Sequence, residues 1–108
     1  NTQETDDFED ELNNIGEITY KSGDKSDILT VYGDEVPDYD VFTLSNPYRI
    51  VIDIDNSIKD IDSLPDIDDS YYINNVRVSQ FTDKSTRIVI DVADGVELLN
   101  QKGLVLPT

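Results

Sequence analysis

The chain has 108 residues, enough for one domain with a single core. Its 24 acidic and 8 basic side chains give a net charge of -16, so nucleic acids and anionic lipid surfaces should repel it. Cysteine and histidine are both absent, which excludes disulfides, Ser-His and Cys-His catalysis and the usual zinc sites. We therefore expect no catalytic residue and no cofactor. No apolar run approaches the length of a membrane span, so we expect no membrane insertion.

The first 14 residues are rich in acidic side chains and have only Phe8 and Leu12 as sizeable apolar groups. Such a composition cannot offset the entropy that ordering costs, which predicts an acidic flexible tail or linker over residues 1–14. A short helix from Asp6 is the alternative, because Phe8 and Leu12 stand four residues apart. Residues 15–108 are predicted to form one domain.

From Ile15 onward the apolar residues alternate with a period of two, which is typical of β-strands. Gly, Asp, Asn, Ser or Pro separates most of the runs, and no segment has the pattern of a long helix. Short strands at close spacing predict an all-β fold, a small β-sandwich. The predicted strands are "EITYK", "ILTVY", "DVFTL", "IVIDI", "NVRVSQF", "IVIDV", "VELL" and "LVL".

Two predicted strands contain the same sequence, Arg-Ile-Val-Ile-Asp, which we call the repeated phrase. It occurs in "NPYRIVIDID" at 46–55 and again in "STRIVIDVAD" at 85–94. A second echo aligns "DKSDILTV" at 24–31 with "DKSTRIVI" at 83–90, and both look like the turn and second strand of a hairpin. The echoes predict an internally duplicated hairpin unit. Two halves, roughly 15–55 and 74–106, would then form two similar packed sheets.

The stretch between these halves, "NSIKDIDSLPDIDDSYYI", alternates Asp with Ile. Hard cations bind carboxylate oxygens, so calcium binding is one interpretation. The stretch lacks the spacing of an EF-hand loop, and a solvated loop anchored by its isoleucines is the interpretation we prefer.

Alternation places the charged and aliphatic residues of the repeated phrase on opposite faces of a strand. Ile50, Ile52 and Ile54 share one face, and Arg49, Val51 and Asp53 share the other. The second copy sorts in the same way. We expect the aliphatic faces to form the sandwich core and the Arg-Val-Asp rows to point outward.

All three arginines, Arg49, Arg77 and Arg87, lie in predicted strands, whereas the lysines fall in or beside turns. The planar guanidinium binds a carboxylate through two hydrogen bonds, which an ammonium cannot do. One interpretation is internal, with each arginine paired to an acid on a neighbouring strand. The other is that the arginines also bind the carboxylate of a ligand. The tyrosines near strand ends are further candidates, because a phenol ring can pack on a sugar.

The segment "FTLSNPYRIVIDI", with Leu44, Pro47, Arg49, Val51 and Asp53, and the later "VRVSQFTDKSTRIVIDV" together resemble the AMIN domain. That domain accompanies bacterial N-acetylmuramoyl-L-alanine amidases and pilus secretins. The resemblance spans residues 16–99. It implies a non-catalytic β-sandwich that binds peptidoglycan and localises an attached cell-wall hydrolase, in an extracellular or cell-wall location. Position-matching assigns five ligand-binding candidates: Arg49, Asp53, Arg77, Arg87 and Asp91.

The leading hypothesis is therefore a peptidoglycan-binding module of the cell envelope, with the arginines meeting stem-peptide carboxylates. The chain would be a non-catalytic fragment of a possible N-acetylmuramoyl-L-alanine amidase. A second hypothesis is a module that binds an envelope protein, or its own copies, through exposed sheet edges. The third is a glycosidase that uses two of the many carboxylates.

Overall fold

A computed structural model describes residues 12–23, 26–68 and 70–93 of the chain. Within these ranges no helix is long and apolar enough to cross a membrane. The described residues form strands joined by turns and irregular segments, and the prediction of an all-β fold is confirmed. The strands are β1 (Asn13–Ile15), β2 (Glu17–Ser22), β3 (Asp27–Tyr32), β4 (Tyr39–Leu44), β5 (Arg49–Asp55), β6 (Ser57–Lys59), β7 (Ile73–Thr82) and β8 (Ser85–Val92).

The largest sheet has four antiparallel strands in the order β4-β5-β8-β7. The β2–β3 hairpin forms a two-stranded antiparallel sheet, and β1 pairs with β6 in a parallel sheet. The core joins these layers, because Ile18 and Val31 of the hairpin belong to the same buried cluster as the aliphatic residues of the large sheet. One face of the four-stranded sheet is therefore covered by the hairpin layer.

The core side of the large sheet is the aliphatic side of the repeated phrase, as the alternation predicts. Ile52, Ile54, Ile88 and Ile90 are all buried, and Ile88 has no exposed surface. Ile50 packs against the same cluster from a partly buried position. Burial of these branched side chains stabilises the fold by roughly 25 cal/mol for each Å² of apolar surface removed from water.

The two copies of the repeated phrase lie side by side in one sheet, as β5 and β8, and not in two opposing sheets. The predicted arrangement of the halves is therefore wrong for these strands. Within the described ranges the sheets have four, two and two strands. Antiparallel pairing sets Arg49 opposite Asp91, Val51 opposite Val89 and Asp53 opposite Arg87. A strand with Arg and Asp four residues apart is complementary to an antiparallel copy of itself, because each arginine meets an acid.

Several predicted segments fall partly or wholly outside the described ranges. Asn13 and Asn14, which we assigned to the acidic tail, belong to β1, and residues 1–11 are not described. The strands predicted at "VELL" and "LVL" also lie outside the described residues. In the stretch between the halves, Ile61 and Ile67 pack against the core. No three carboxylates of the described ranges converge where a metal ion could be held.

Polar side chains fix β6 and the end of the β7–β8 hairpin. Ser57 and Thr86 are fully buried, and their hydroxyl oxygens are hydrogen-bonded at 2.9 Å. Gln80 Nε2 donates to the carbonyl oxygens of Ser57, Thr82 and Ser85, and Gln80 Oε1 accepts from the Lys59 backbone N–H. The same residue borders a β-bulge, since Gln80 pairs with Thr86 and Thr82 pairs with Ser85. Phe81 is the extra residue between them, and the bulge leaves it without a direct partner on β8.

We expect Ile88→Ala to lower the free energy of unfolding by about 2–5 kcal/mol, because it leaves a cavity in the centre of the core. Urea denaturation followed by circular dichroism measures this change. The matched control is Ile28→Ala, since Ile28 is 55% exposed on β3 and its truncation should cost under about 0.5 kcal/mol. Equal losses for the two variants would contradict this account of the core.

Candidate functional site on the outer face of the large sheet

All five residues predicted as ligand-binding candidates lie on one face of the four-stranded sheet. Direct antiparallel partners point to the same side of a sheet, and alternate residues of a strand share a side. The pairs Arg49–Asp91, Asp53–Arg87 and Arg77–Val89 therefore place all five side chains together, opposite the core. We call this side the outer face. Its residues are Asp40, Phe42 and Leu44 of β4, Arg49, Val51 and Asp53 of β5, Arg87, Val89 and Asp91 of β8, and Asn75, Arg77 and Ser79 of β7.

Arg87 and Asp53 form a bidentate ion pair between the two central strands of the sheet, β8 and β5. Arg87 Nε donates to Asp53 Oδ1 at 2.7 Å, and Arg87 Nη2 donates to Asp53 Oδ2 at 2.8 Å. The side chains are only 28% and 20% exposed, so water screens the pair less than it screens a fully exposed one. The hydrogen bonds that Arg87 donates to Asp53 raise the pKa of Arg87, which holds the guanidinium in its charged form.

Two phenylalanine rings lie against the same guanidinium. Arg87 Cζ is 3.6 Å from the centroid of the Phe81 ring and 5.7 Å from the centroid of the Phe42 ring. A guanidinium over an aromatic face is attracted by the negative charge of the π-system. Asp53 fixes the plane of the guanidinium, and the guanidinium in turn fixes the Phe81 ring.

The second ion pair of the face joins β7 to β8. Arg77 Nη2 donates to Asp91 Oδ1 at 2.9 Å, and Arg77 Nε donates to Asp91 Oδ2 at 3.2 Å. Arg77 is 55% exposed, so this pair contributes at most about 1 kcal/mol to stability. The prediction of cross-strand ion pairs is thus confirmed for Arg77 and for Arg87.

Arg49 differs from the other two arginines. It stands directly across from Asp91, but Asp91 is engaged by Arg77. Its Nε donates to the carbonyl oxygen of Pro47 at 3.1 Å, in the turn that contains the cis Asn46–Pro47 peptide bond. Among the described residues no carboxylate lies within ion-pair distance of Arg49, which leaves its two terminal nitrogens without an acidic partner.

The aromatic residues of the face were not among the sequence-based candidates. Tyr71 is 87% exposed and stacks loosely on Tyr72, away from the outer-face strands, whereas Phe42 and Phe81 belong to the arginine cluster. The strand phase could have identified Phe42, because Val41 and Thr43 on either side of it point to the core. The same phase could have identified Phe81, because it follows Arg77 and Ser79 at intervals of two along β7.

A cavity of about 220 Å³ lies beside the β5–β6 turn, away from the five candidates. Acidic, amide and apolar residues line it: Asn13, Glu35, Val36, Pro37, Asp38 and Asp55. The outer face itself presents two ion pairs and two partly exposed phenyl rings. Such a surface has the chemistry of a binding module.

The family model for the AMIN domain matches residues 17–105. The chain therefore belongs to the AMIN domain family, and the resemblance stated from the sequence is confirmed. The AMIN domain is a non-catalytic domain, known as a peptidoglycan-binding and targeting module of amidases and secretins in the bacterial envelope. No curated protein sequence matches the chain.

We expect Arg87→Lys to lower the free energy of unfolding by about 1–2 kcal/mol, because lysine keeps the charge but loses the two-pronged bond and the planar stack. Urea denaturation measures the loss. Arg77→Lys is the control, since its ion pair is exposed and should cost under about 0.5 kcal/mol. A larger loss for Arg77→Lys than for Arg87→Lys would contradict the ranking of the two pairs.

Proposed function

We propose that this domain binds peptidoglycan through its outer face and localises an attached cell-wall hydrolase to the cell wall. The main observation that supports this proposal is that five candidate residues lie on one face of the sheet, opposite the core: Arg49, Asp53, Arg77, Arg87 and Asp91. Family membership supports the ligand, because AMIN domains are associated with peptidoglycan and with envelope proteins.

Within this face, Arg49 is the arginine that we assign to a carboxylate of the stem peptide. The guanidinium groups of Arg77 and Arg87 are occupied by Asp91 and Asp53, so they hold the face together. A chain with three acids for each base would be expected to pair every arginine internally. Arg49 instead keeps its terminal nitrogens free of acids among the described residues, and a planar carboxylate fits two such donors.

A second candidate function is binding to an envelope protein through a sheet edge. The observation that favours it is the length of β7, which has ten residues and, within the described ranges, pairs only with β8. An extended segment of a partner could add to such an edge through backbone hydrogen bonds. This candidate needs no contribution from the outer-face arginines.

We expect the domain to sediment with purified peptidoglycan sacculi, and Arg49→Ala to reduce the retained fraction severalfold. The variant removes a donor pair for a carboxylate but leaves both described ion pairs intact. Quantitative sedimentation followed by gel densitometry gives the retained fraction.

The matched control is Lys21→Ala, which removes one exposed positive charge from β2 in the hairpin layer. It should leave retention unchanged, because its side of the sandwich is not the proposed surface. Equal retention of the wild type and the folded Arg49→Ala variant would remove Arg49 from the site. No retention of the wild type would contradict peptidoglycan binding and favour the sheet-edge candidate.

A further inference from the structure

The Phe81 ring has one face covered by protein and substantial surface open to solvent. The Arg87 guanidinium lies 3.6 Å from the ring centroid, yet Phe81 remains 51% exposed. Phe42, on the other side of Arg87, is 38% exposed. Two partly exposed aromatic rings beside one guanidinium offer apolar surface that a ligand can cover.

The ring is held in place before any ligand arrives. Asp53 fixes the guanidinium with two short hydrogen bonds, and the bulge at Phe81 is fastened by the bonds that Gln80 makes to both sides of the hairpin turn. A surface ordered in advance loses little entropy on binding, so even a small contact area can give measurable affinity.

Polar groups lie beside this ring on the same face. Ser79 is two residues before Phe81 on β7 and stands directly across from Arg87, whose guanidinium binds the Asp53 carboxylate. A guanidinium has five N–H donors, and Asp53 takes two of them. An aromatic plate rimmed by hydroxyl, guanidinium and carboxylate groups suits a pyranose ring, whose C–H face is apolar and whose edge carries hydroxyl and amide groups.

The negative charge of the chain favours neutral components of the cell wall over anionic ones as ligands. A net charge of -16 opposes the approach of anions, so an anionic group of the wall binds best where a guanidinium has no acidic partner among the described residues, as at Arg49. N-acetylglucosamine units are neutral and escape this repulsion. At the Phe81 end of the face the guanidinium is already neutralised by Asp53, so a neutral ligand fits there better than an anion.

We propose that Phe81, supported by Arg87 and flanked by Phe42 and Ser79, binds an N-acetylated sugar ring of the glycan strand. This inference rests on the proposed function, and it names the glycan strand as the part of peptidoglycan that binds at Phe81. Arg87 acts here as a positioning residue, because its guanidinium orients the Phe81 ring. Arg49 lies four strand positions from Asp53, about 13 Å away, within reach of a peptide attached to the same glycan.

The test is a titration of the ¹⁵N-labelled chain with the neutral β-1,4-linked tetramer of N-acetylglucosamine, followed by NMR. We expect amide shifts centred on Phe42, Ser79 and Phe81, with an affinity that does not change between low salt and about 0.5 M NaCl. Phe81→Ala should weaken binding by about tenfold or more, and Phe81→Leu by less. Tyr71→Ala is the control, since Tyr71 is a more exposed aromatic residue outside the face.

Two further measurements, sedimentation with sacculi and titration with a free stem tripeptide, distinguish failure of this inference from failure of the proposed function. If sacculi retain the domain but the tetramer shifts no outer-face amide, the sugar site is overturned and the proposed function stands. If a free stem tripeptide shifts the Phe81 amide with an affinity that falls as salt rises, the ligand at Phe81 is a carboxylate and the inference is wrong. If the tetramer binds at Phe81 but sacculi do not retain the domain, the sugar site stands and the proposed function fails.

Discussion

The antiparallel register of β5 against β8 is the constraint on which the outer face depends. It centres the two strands on the Val51–Val89 pair and sets an arginine across from an aspartate on each side of that centre. A slip of one residue would move the isoleucines to solvent and the guanidinium groups to the core, and both changes are costly. The repeated phrase therefore specifies its own pairing, because burial on one face and charge on the other agree only in this register.

The symmetry of the repeated strands is broken by their outer neighbours. β7 supplies Arg77, which engages Asp91, while β4 supplies Phe42 beside Arg87. One pair, Asp53–Arg87, is consequently closed and stacked, and the other leaves Arg49 without an acid among the described residues. This difference gives the face two chemically distinct ends. At one end an aromatic ring lies beside a neutralised guanidinium, and at the other the Arg49 guanidinium, which has no acidic partner among the described residues, lies beside Leu44. A glycan with an attached peptide offers one ligand group to each end.

The sequence predicted the local features of this arrangement better than the global ones. Alternation identified β2, β3, β4, β5, β7 and β8 and assigned the correct faces of the repeated phrase, because a period of two is a property of the strand alone. It did not predict which strands are neighbours, since the same aliphatic faces could close a core within one sheet or between two. The role of Phe81 was also missed. Alternation places Phe81 on the same side of β7 as Arg77 and Ser79, but its contact with Arg87 requires that β7 pairs with β8. The bulge between Gln80 and Thr82, which leaves Phe81 without a partner on β8, is also invisible in a period-two pattern.

The two symmetric cross-strand positions differ, because Asp53 and Arg87 form an ion pair and Arg49 and Asp91 do not. A pair of double-mutant cycles tests this difference most directly. The residues Asp53 with Arg87, and Arg49 with Asp91, would be changed to alanine singly and together, and the free energy of unfolding measured for each variant. We predict a coupling energy of about 1 kcal/mol for Asp53–Arg87 and under about 0.3 kcal/mol for Arg49–Asp91, although both are direct cross-strand neighbours. Equal coupling energies for the two pairs, or none for Asp53–Arg87, would contradict this account.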